Sequence, residues 1–179
     1  MHKTLTTTIT KIISGGQTGA DRGGLEAAEF LGIATGGTAP FGYTTVEGRC
    51  PELGIRFHLT QLDRGDSLAM QYIQRSMMNI DAADATIAFR FYVSPGTDKS
   101  IGYCLTGKWQ NVKVVRGMPY RPVIVISSFD DEALKKLRGF LETFKPTIVN
   151  VCGHREYHED GNLFSREVRD FLIRVLTAD

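Results

Sequence analysis

The passage from residue 9 to residue 21 narrows most sharply what this chain can fold into. A β-branched run at residues 9–13 gives way at once to Ser14-Gly15-Gly16-Gln17-Thr18-Gly19-Ala20-Asp21. Leu25, Ala28 and Leu31 then recur at helical spacing until Gly32 stops them. This is how a buried strand entering a tight turn reads, with a helix beginning near Ala20. Strand, glycine loop and helix form the opening unit of an α/β protein.

Glycines at 15, 16 and 19 let backbone amides approach a bound group where a Cβ would intrude, and the helix behind them adds free N–H groups and the positive end of its dipole. The loop therefore reads as a phosphate cradle. Ser14 and Thr18 can donate hydroxyl hydrogen bonds to phosphate oxygens, whereas Asp21 would repel them and is assigned to a ribose hydroxyl or to proton transfer. The plain alternative is a tight turn with Asp21 as a first-turn cap residue, which leaves three glycines beside polar side chains without a reason. A Walker loop is excluded by the missing Gly-Lys-Ser/Thr ending. The wrong glycine spacing, and a second strand without the acidic residue that holds the ribose of NAD, argue against a dehydrogenase.

The remaining pattern alternates strands and helices. Residues 33–35 read as a second strand, and residues 36–62 show Gly, Pro and Thr without a sustained period, which predicts a long loop. Met70, Ile73, Met77 and Ile80 mark one helix face, residues 85–89 a strand, and residues 94–98 a loop before a helix over about 99–108. Residues 123–126 form the clearest strand, and Asp130-Asp131-Glu132 suits the positive end of the helix after it. Residues 147–151 make a last strand, ending at Gly153, and Phe164, Val168, Phe171, Leu172 and Val175 an amphipathic C-terminal helix. Five strands alternating with helices imply a mainly parallel sheet covered on both faces. Residues 109–121 are the one candidate insertion, either an oligomer contact or a loop.

Composition bounds the partners. At 179 residues and 42% hydrophobic content the chain is expected to form one domain over residues 1–179. A net charge of +1 gives no global field for a phosphate polymer, so nucleic acid is not an expected partner. No apolar run approaches the length of a membrane span and the N-terminal residues lack a signal-peptide pattern, so no membrane association is expected. Cys50, Cys104 and Cys152 form no Cys-x-x-Cys pair, and a reducing cytoplasm is the natural setting.

With the loop, the segment Gly36-Gly37-Thr38-Ala39-Pro40-Phe41-Gly42, the strand start Asp84-Ala85-Thr86-Ile87 and the run Asn150-Val151-Cys152-Gly153-His154-Arg155-Glu156 in view, the chain resembles the circularly permuted YpsA-type branch of the SLOG superfamily, whose members are often labelled molybdenum carriers. The resemblance covers nearly the whole chain in order. It implies a Rossmann-like three-layer α/β/α sandwich, a nucleotide-derived ligand and a homo-oligomer, and it requires no cofactor. It also implies that Gly15, Gly16, Thr18, Gly19 and Asp21 serve a phosphate and ribose loop that takes in Ser14, Gln17 and Arg22. Gly96 and Thr97 fall on a second ligand loop, and Arg155 and Glu156 on the terminal motif. Where a basic residue often stands in the family, Gly37 is followed by Phe41 and Tyr43, which suits stacking on a base. His154 replaces a usual proline.

Other candidates have ordinary explanations beside functional ones. Arg155 on a phosphate and Glu156 on a hydroxyl compete with a surface ion pair. Thr97 and Asp98 also suit a helix cap. Asp81 and Asp84 read as turn residues. Cys152, His154 and His158 fall short of the ligand count of a zinc site, so no metal is assigned, and a buried cysteine with solvated histidines is expected. Three functions remain open: a carrier, sensor or sequestering module for a phosphate-containing small molecule; a phosphoribohydrolase in which Asp21 and Glu156 converge on one sugar; and carriage of molybdenum cofactor, for which the residues supply no dedicated metal ligand.

Overall fold

The computed structural model describes residues 8–110, 112 and 120–177. Their elements are β1 (Lys11–Ile13), α1 (Ala20–Leu31), β2 (Ala34–Gly36), β3 (Thr38–Ala39), β4 (Thr44–Thr45), β5 (Gly48–Arg49), α2 (Glu52–Phe57), β6 (Thr60–Gln61), α3 (Leu68–Ala82), β7 (Ala85–Phe89), α4 (Pro95–Thr106), β8 (Val123–Ile126), α5 (Asp131–Phe144), β9 (Ile148–Gly153) and α6 (Leu163–Leu176). Five strands pair in parallel in the order β2-β1-β9-β7-β8. The last strand of the chain thus inserts between the first and the seventh.

Helices cover both faces, which is why β7 is buried at every position. On one face Ile12, Ile87, Phe89, Ile126, Val149 and Val151 pack against α1, α5 and α6 through Ala28, Leu137, Phe171 and Leu172. On the other, Met77 and Ile80 of α3 meet Tyr103 and Cys104 of α4. Each large side chain so buried contributes about 1.5–3 kcal/mol. Punctuation follows the sequence: Gly32 ends α1 in the left-handed conformation, and the Asp130 carboxylate accepts from the Ala133 amide at 2.8 Å to cap α5.

Two expectations change. Residues 36–62 are not structureless, because Leu53, Phe57 and Leu59 gather with Leu25 and Ala39 into a small core of their own. The strands there are two residues long, too short to show a period. Residues 94–98 are not a loop either: α4 begins at Pro95, whose fixed φ and missing N–H suit the first helical position. The candidate insertion at 109–121 lies largely outside the described residues, although Trp109 is buried against Tyr103, with ring centroids 5.9 Å apart. No described helix is long and apolar enough to cross a membrane.

Candidate ligand-binding site

The helix leaving β1 and the helix leaving β7 pass to opposite faces of the sheet, with β9 between them, so a crevice opens over the carboxyl ends of these strands. A cavity of about 580 Å³ occupies it. Gln17 and Asp21 from the glycine loop, Gly96 and Thr97 from the start of α4, and Arg155 from the segment after β9 all line it. The structure thus gathers five of the residues singled out in the sequence. It adds Arg75 and Lys99, which the sequence did not distinguish from other surface charges.

The glycine loop is folded onto itself. The Gly16 amide donates to Ser14 Oγ (3.2 Å), the Gln17 amide to Asp21 Oδ2 (3.3 Å), and the Thr18 amide to Gln17 Oε1 (3.0 Å). The Gly19 amide donates to Ser165 Oγ (3.1 Å) and the Ala20 amide to the His154 carbonyl (2.9 Å). The anion that the loop holds is therefore the protein's own, the Asp21 carboxylate. Ser14, Gly15, Gly16, Thr18, Gly19 and Arg22 support this arrangement without lining the cavity, Arg22 through a long hydrogen bond from Nη2 to the Gly16 carbonyl (3.5 Å).

Arg75 of α3 donates from Nη1 to Asp21 Oδ2 at 2.9 Å, with side chains 13% and 3% exposed respectively. Burial pushes the Asp21 carboxyl above its usual range, and the Arg75 charge with the Gln17 and Gly15 amides pulls it part of the way back. The absence of a side chain at Gly15 permits the pair, since a Cβ there would fall inside the guanidinium of Arg75. Gly19 has φ 82°, and a Cβ on it would overlap the backbone of His154 and Arg155.

Across the cavity the first-turn amides of Gly96 and Thr97 point out of α4, where no carbonyl of the same helix can accept them. Ser94 Oγ lies 2.9 Å from Thr97 Oγ1, and the Asp98 amide donates to the Ser94 carbonyl (2.8 Å), so Thr97 also shapes the helix start. Asp98 pairs with Arg90, which holds its carboxyl below the usual range.

Beyond β9 the sequence expectations divide. Arg155 lines the cavity, but Glu156 faces the start of α6. Its carboxylate accepts from the amides of Tyr157 (3.2 Å), His158 (3.2 Å), Phe164 (3.1 Å) and Ser165 (3.2 Å). No Arg155–Glu156 ion pair occurs among the described residues. His154 is 2% exposed rather than solvated, because Nε2 accepts from the Phe91 (2.6 Å) and Tyr92 (3.1 Å) amides and the Tyr92 ring stacks on it at 3.7 Å. Cys152 is only half-buried by exposure and lines the cavity; desolvation pushes its thiol well up, so it is a neutral wall residue. Gly37 packs on the Ser14 backbone, and the Phe41 ring lies beneath Arg49 (5.4 Å) and Arg64 (6.0 Å), so neither reaches the cavity. Among the described residues no three His, Cys, Asp or Glu side chains come together to hold a metal ion.

An all-parallel sheet with a cavity over the carboxyl ends of β1, β9 and β7 defines a doubly wound α/β protein with a crevice where such sheets take ligands. The chain belongs to the circularly permutated YpsA SLOG family, whose model matches residues 12–176. It is similar to a crystal structure from Syntrophus aciditrophicus SB described as a "Putative molybdenum carrier protein", with a TM-score of 0.73 and 25% identity over 93% of this chain and 94% of that one. No curated protein matches.

Proposed function

We propose that the protein is a binding module that carries, senses or sequesters a nucleotide-derived, phosphate-containing small molecule in the cavity over β1, β9 and β7. One observation carries the reading: the cavity combines cations from three separate segments, Arg75, Lys99 and Arg155, with the free amides at the start of a 12-residue helix. The anionic end of the ligand lies against Gly96 and Thr97, because the glycine loop's amides already serve Asp21 and neighbouring groups. The loop then acts as the frame that aims Asp21 and Gln17 at the rest of the ligand, a sugar hydroxyl being the partner that suits a carboxylate.

The phosphoribohydrolase reading rests on the buried Asp21 carboxyl beside Arg75, a setting that can serve acid–base chemistry. It needs a second acid, and Asp21 is the one carboxylate among the described residues that lines the cavity, with Glu156 committed to α6. Binding without turnover is therefore favoured. The similar crystal structure's description brings molybdenum into view, but the described side chains offer no cluster of metal ligands, so molybdenum would enter as an oxyanion held by hydrogen-bond donors or within a larger phosphate-bearing cofactor, not as a bare ion.

The experiment is to incubate the purified protein with a panel of nucleoside monophosphates, follow release of free base, and identify copurifying molecules by mass spectrometry. Retention of an intact nucleotide without base release is the expected result. Base release that disappears in Asp21→Asn would replace this reading with the hydrolase, and a retained pterin would replace it with cofactor carriage.

A further inference from the structure

A ligand with a planar base needs a flat surface to lie on, and an aromatic ring with one face free supplies it. Four aromatic side chains among the described residues line the cavity: Tyr72, Tyr92, Trp109 and His154. Trp109 is 4% exposed and His154 2%, too enclosed to offer a face. Tyr72 is half-buried and carries the Arg75 guanidinium over its ring at 5.8 Å. Tyr92, in contrast, is 44% exposed. Phe41, the aromatic whose place in the sequence suited stacking, stands outside the cavity beneath Arg49 and Arg64.

The rings around Tyr92 show which part of it is open. One face lies on the His154 imidazole, with centroids 3.7 Å apart and planes 9° from parallel. Tyr157 stands at 89° to both rings, 5.2 Å from Tyr92 and 6.4 Å from His154. Those three distances make a right angle at Tyr92, so Tyr157 meets the rim of the Tyr92 ring; over the far face it would stand much further from His154. No other aromatic ring among the described residues contacts Tyr92. The exposed surface of Tyr92 therefore includes the face turned away from His154. The ring is also held in place, because the Tyr92 amide donates to Nε2 of the same imidazole on which the ring stacks (3.1 Å). A ring fixed before binding loses little freedom when a partner settles on it. Burial raises the pKa of the Tyr92 hydroxyl and the Arg155 charge pulls it back, which sets one of the cavity's cations beside the ring.

We infer that Tyr92 is the base platform of the cavity: the planar heteroaromatic ring of the ligand stacks on the face of Tyr92 turned away from His154, beside Arg155. The inference rests on the reading that the cavity takes a nucleotide-derived molecule, and it accounts for the part of that molecule which the charged and polar groups leave unexplained. Arg75, Lys99 and the amides of Gly96 and Thr97 answer the charge of a phosphate, and Asp21 answers a sugar hydroxyl. None of these distinguishes a nucleotide from a bare sugar phosphate. Tyr92 does, because every base has a π-face and a sugar phosphate has none. Stacking of this kind selects for the presence of a base more than for its identity.

The test uses the full chain and calorimetric titration with two kinds of probe: the 5′-monophosphates of adenosine, guanosine, cytidine and uridine, and ribose 5-phosphate, which keeps the sugar and the phosphate and lacks the base. Wild type should bind at least one nucleotide about tenfold more tightly than ribose 5-phosphate. Tyr92→Ala should erase most of that advantage while leaving the affinity for ribose 5-phosphate unchanged, and Tyr92→Phe should keep it. Tyr92→Leu retains an apolar cover on His154 and carries the same comparison if the alanine variant does not fold. A nucleotide advantage that survives loss of the ring at position 92, or that disappears in Tyr72→Ala instead, overturns the inference and leaves the proposed function intact. Equal weakening of nucleotide and ribose 5-phosphate overturns it too, since Tyr92 then shapes the whole site. A wild type that binds ribose 5-phosphate as tightly as every nucleotide overturns it and ends the nucleotide reading, and binding of neither probe overturns both.

Discussion

Replacing Arg75 with methionine keeps most of the side chain's aliphatic volume and removes its charge, leaving the Asp21 carboxylate, 3% exposed, without its ion-pair partner. Breaking a buried pair from one side costs about 3–5 kcal/mol, a large share of the roughly 5–15 kcal/mol that hold a domain together. The cost should depend on pH in a definite direction. Burial already holds the Asp21 carboxyl above its usual range, with Arg75 the first influence opposing it, so removing Arg75 raises it further. A carboxyl that is harder to ionise folded than unfolded binds more protons in the folded state. Stability then falls as pH rises between the two pKa values, by at most about 1.4 kcal/mol per pH unit. The deficit of Arg75→Met is therefore largest near about pH 8 and shrinks on acidification, because a protonated Asp21 needs no cation. Urea unfolding followed by far-UV circular dichroism, at intervals from about pH 8 to about pH 5, measures the difference from wild type, which cancels every other titrating group. The gap should narrow by more than about 1 kcal/mol over that range, and adding Asp21→Asn should recover much of it at the alkaline end. A deficit that is constant with pH, or below about 1 kcal/mol throughout, would refute the buried-pair argument.

Three further outcomes follow from neighbouring geometry. Gly15→Ala should reproduce the alkaline-sensitive deficit of Arg75→Met, since the new Cβ would displace the guanidinium; a pH-independent change in the same unfolding series would count against it. Glu156→Ala should lower stability by about 1–3 kcal/mol by stripping an acceptor from four amides, with Glu156→Gln losing less, and equal losses in denaturant unfolding would contradict the capping role. The His154 imidazole is depressed by burial and then by Arg90, so its contribution is present above the unfolded pKa of about 6.5 and is lost as pH falls below it, at up to about 1.4 kcal/mol per unit. His154→Gln should accordingly flatten the stability profile between about pH 6.5 and pH 5, and an unchanged slope would remove His154 from the account.

The fold was legible in the sequence wherever an element was long enough to show its period or carried a stop signal. The strands at 85–89 and 123–126 have the expected bounds, Gly32 and Asp130 punctuate their helices, and five alternating strands imply the parallel sheet. Two-residue strands have no period to show, and Pro95 reads as a breaker unless the helix behind it is already known. The site was half legible. The opening motif marked Gln17 and Asp21, and the strand-end positions marked Gly96, Thr97 and Arg155, because the carboxyl edge of a parallel sheet gathers whatever follows its strands. Arg75 carried no signal, since a charge on an amphipathic helix looks the same whether it meets water or a buried carboxylate 54 residues earlier. What the sequence determined by itself is the local chemistry: where backbone can turn, where amides are left free, which side chains can carry charge. Only the tertiary structure decided how those groups are spent. It gave the glycine loop's amides to Asp21 and its neighbours, gave Glu156 to α6, and gave the His154 imidazole to the amides of Phe91 and Tyr92, because hydrogen-bond partners distant in the chain are chosen by packing rather than by sequence spacing.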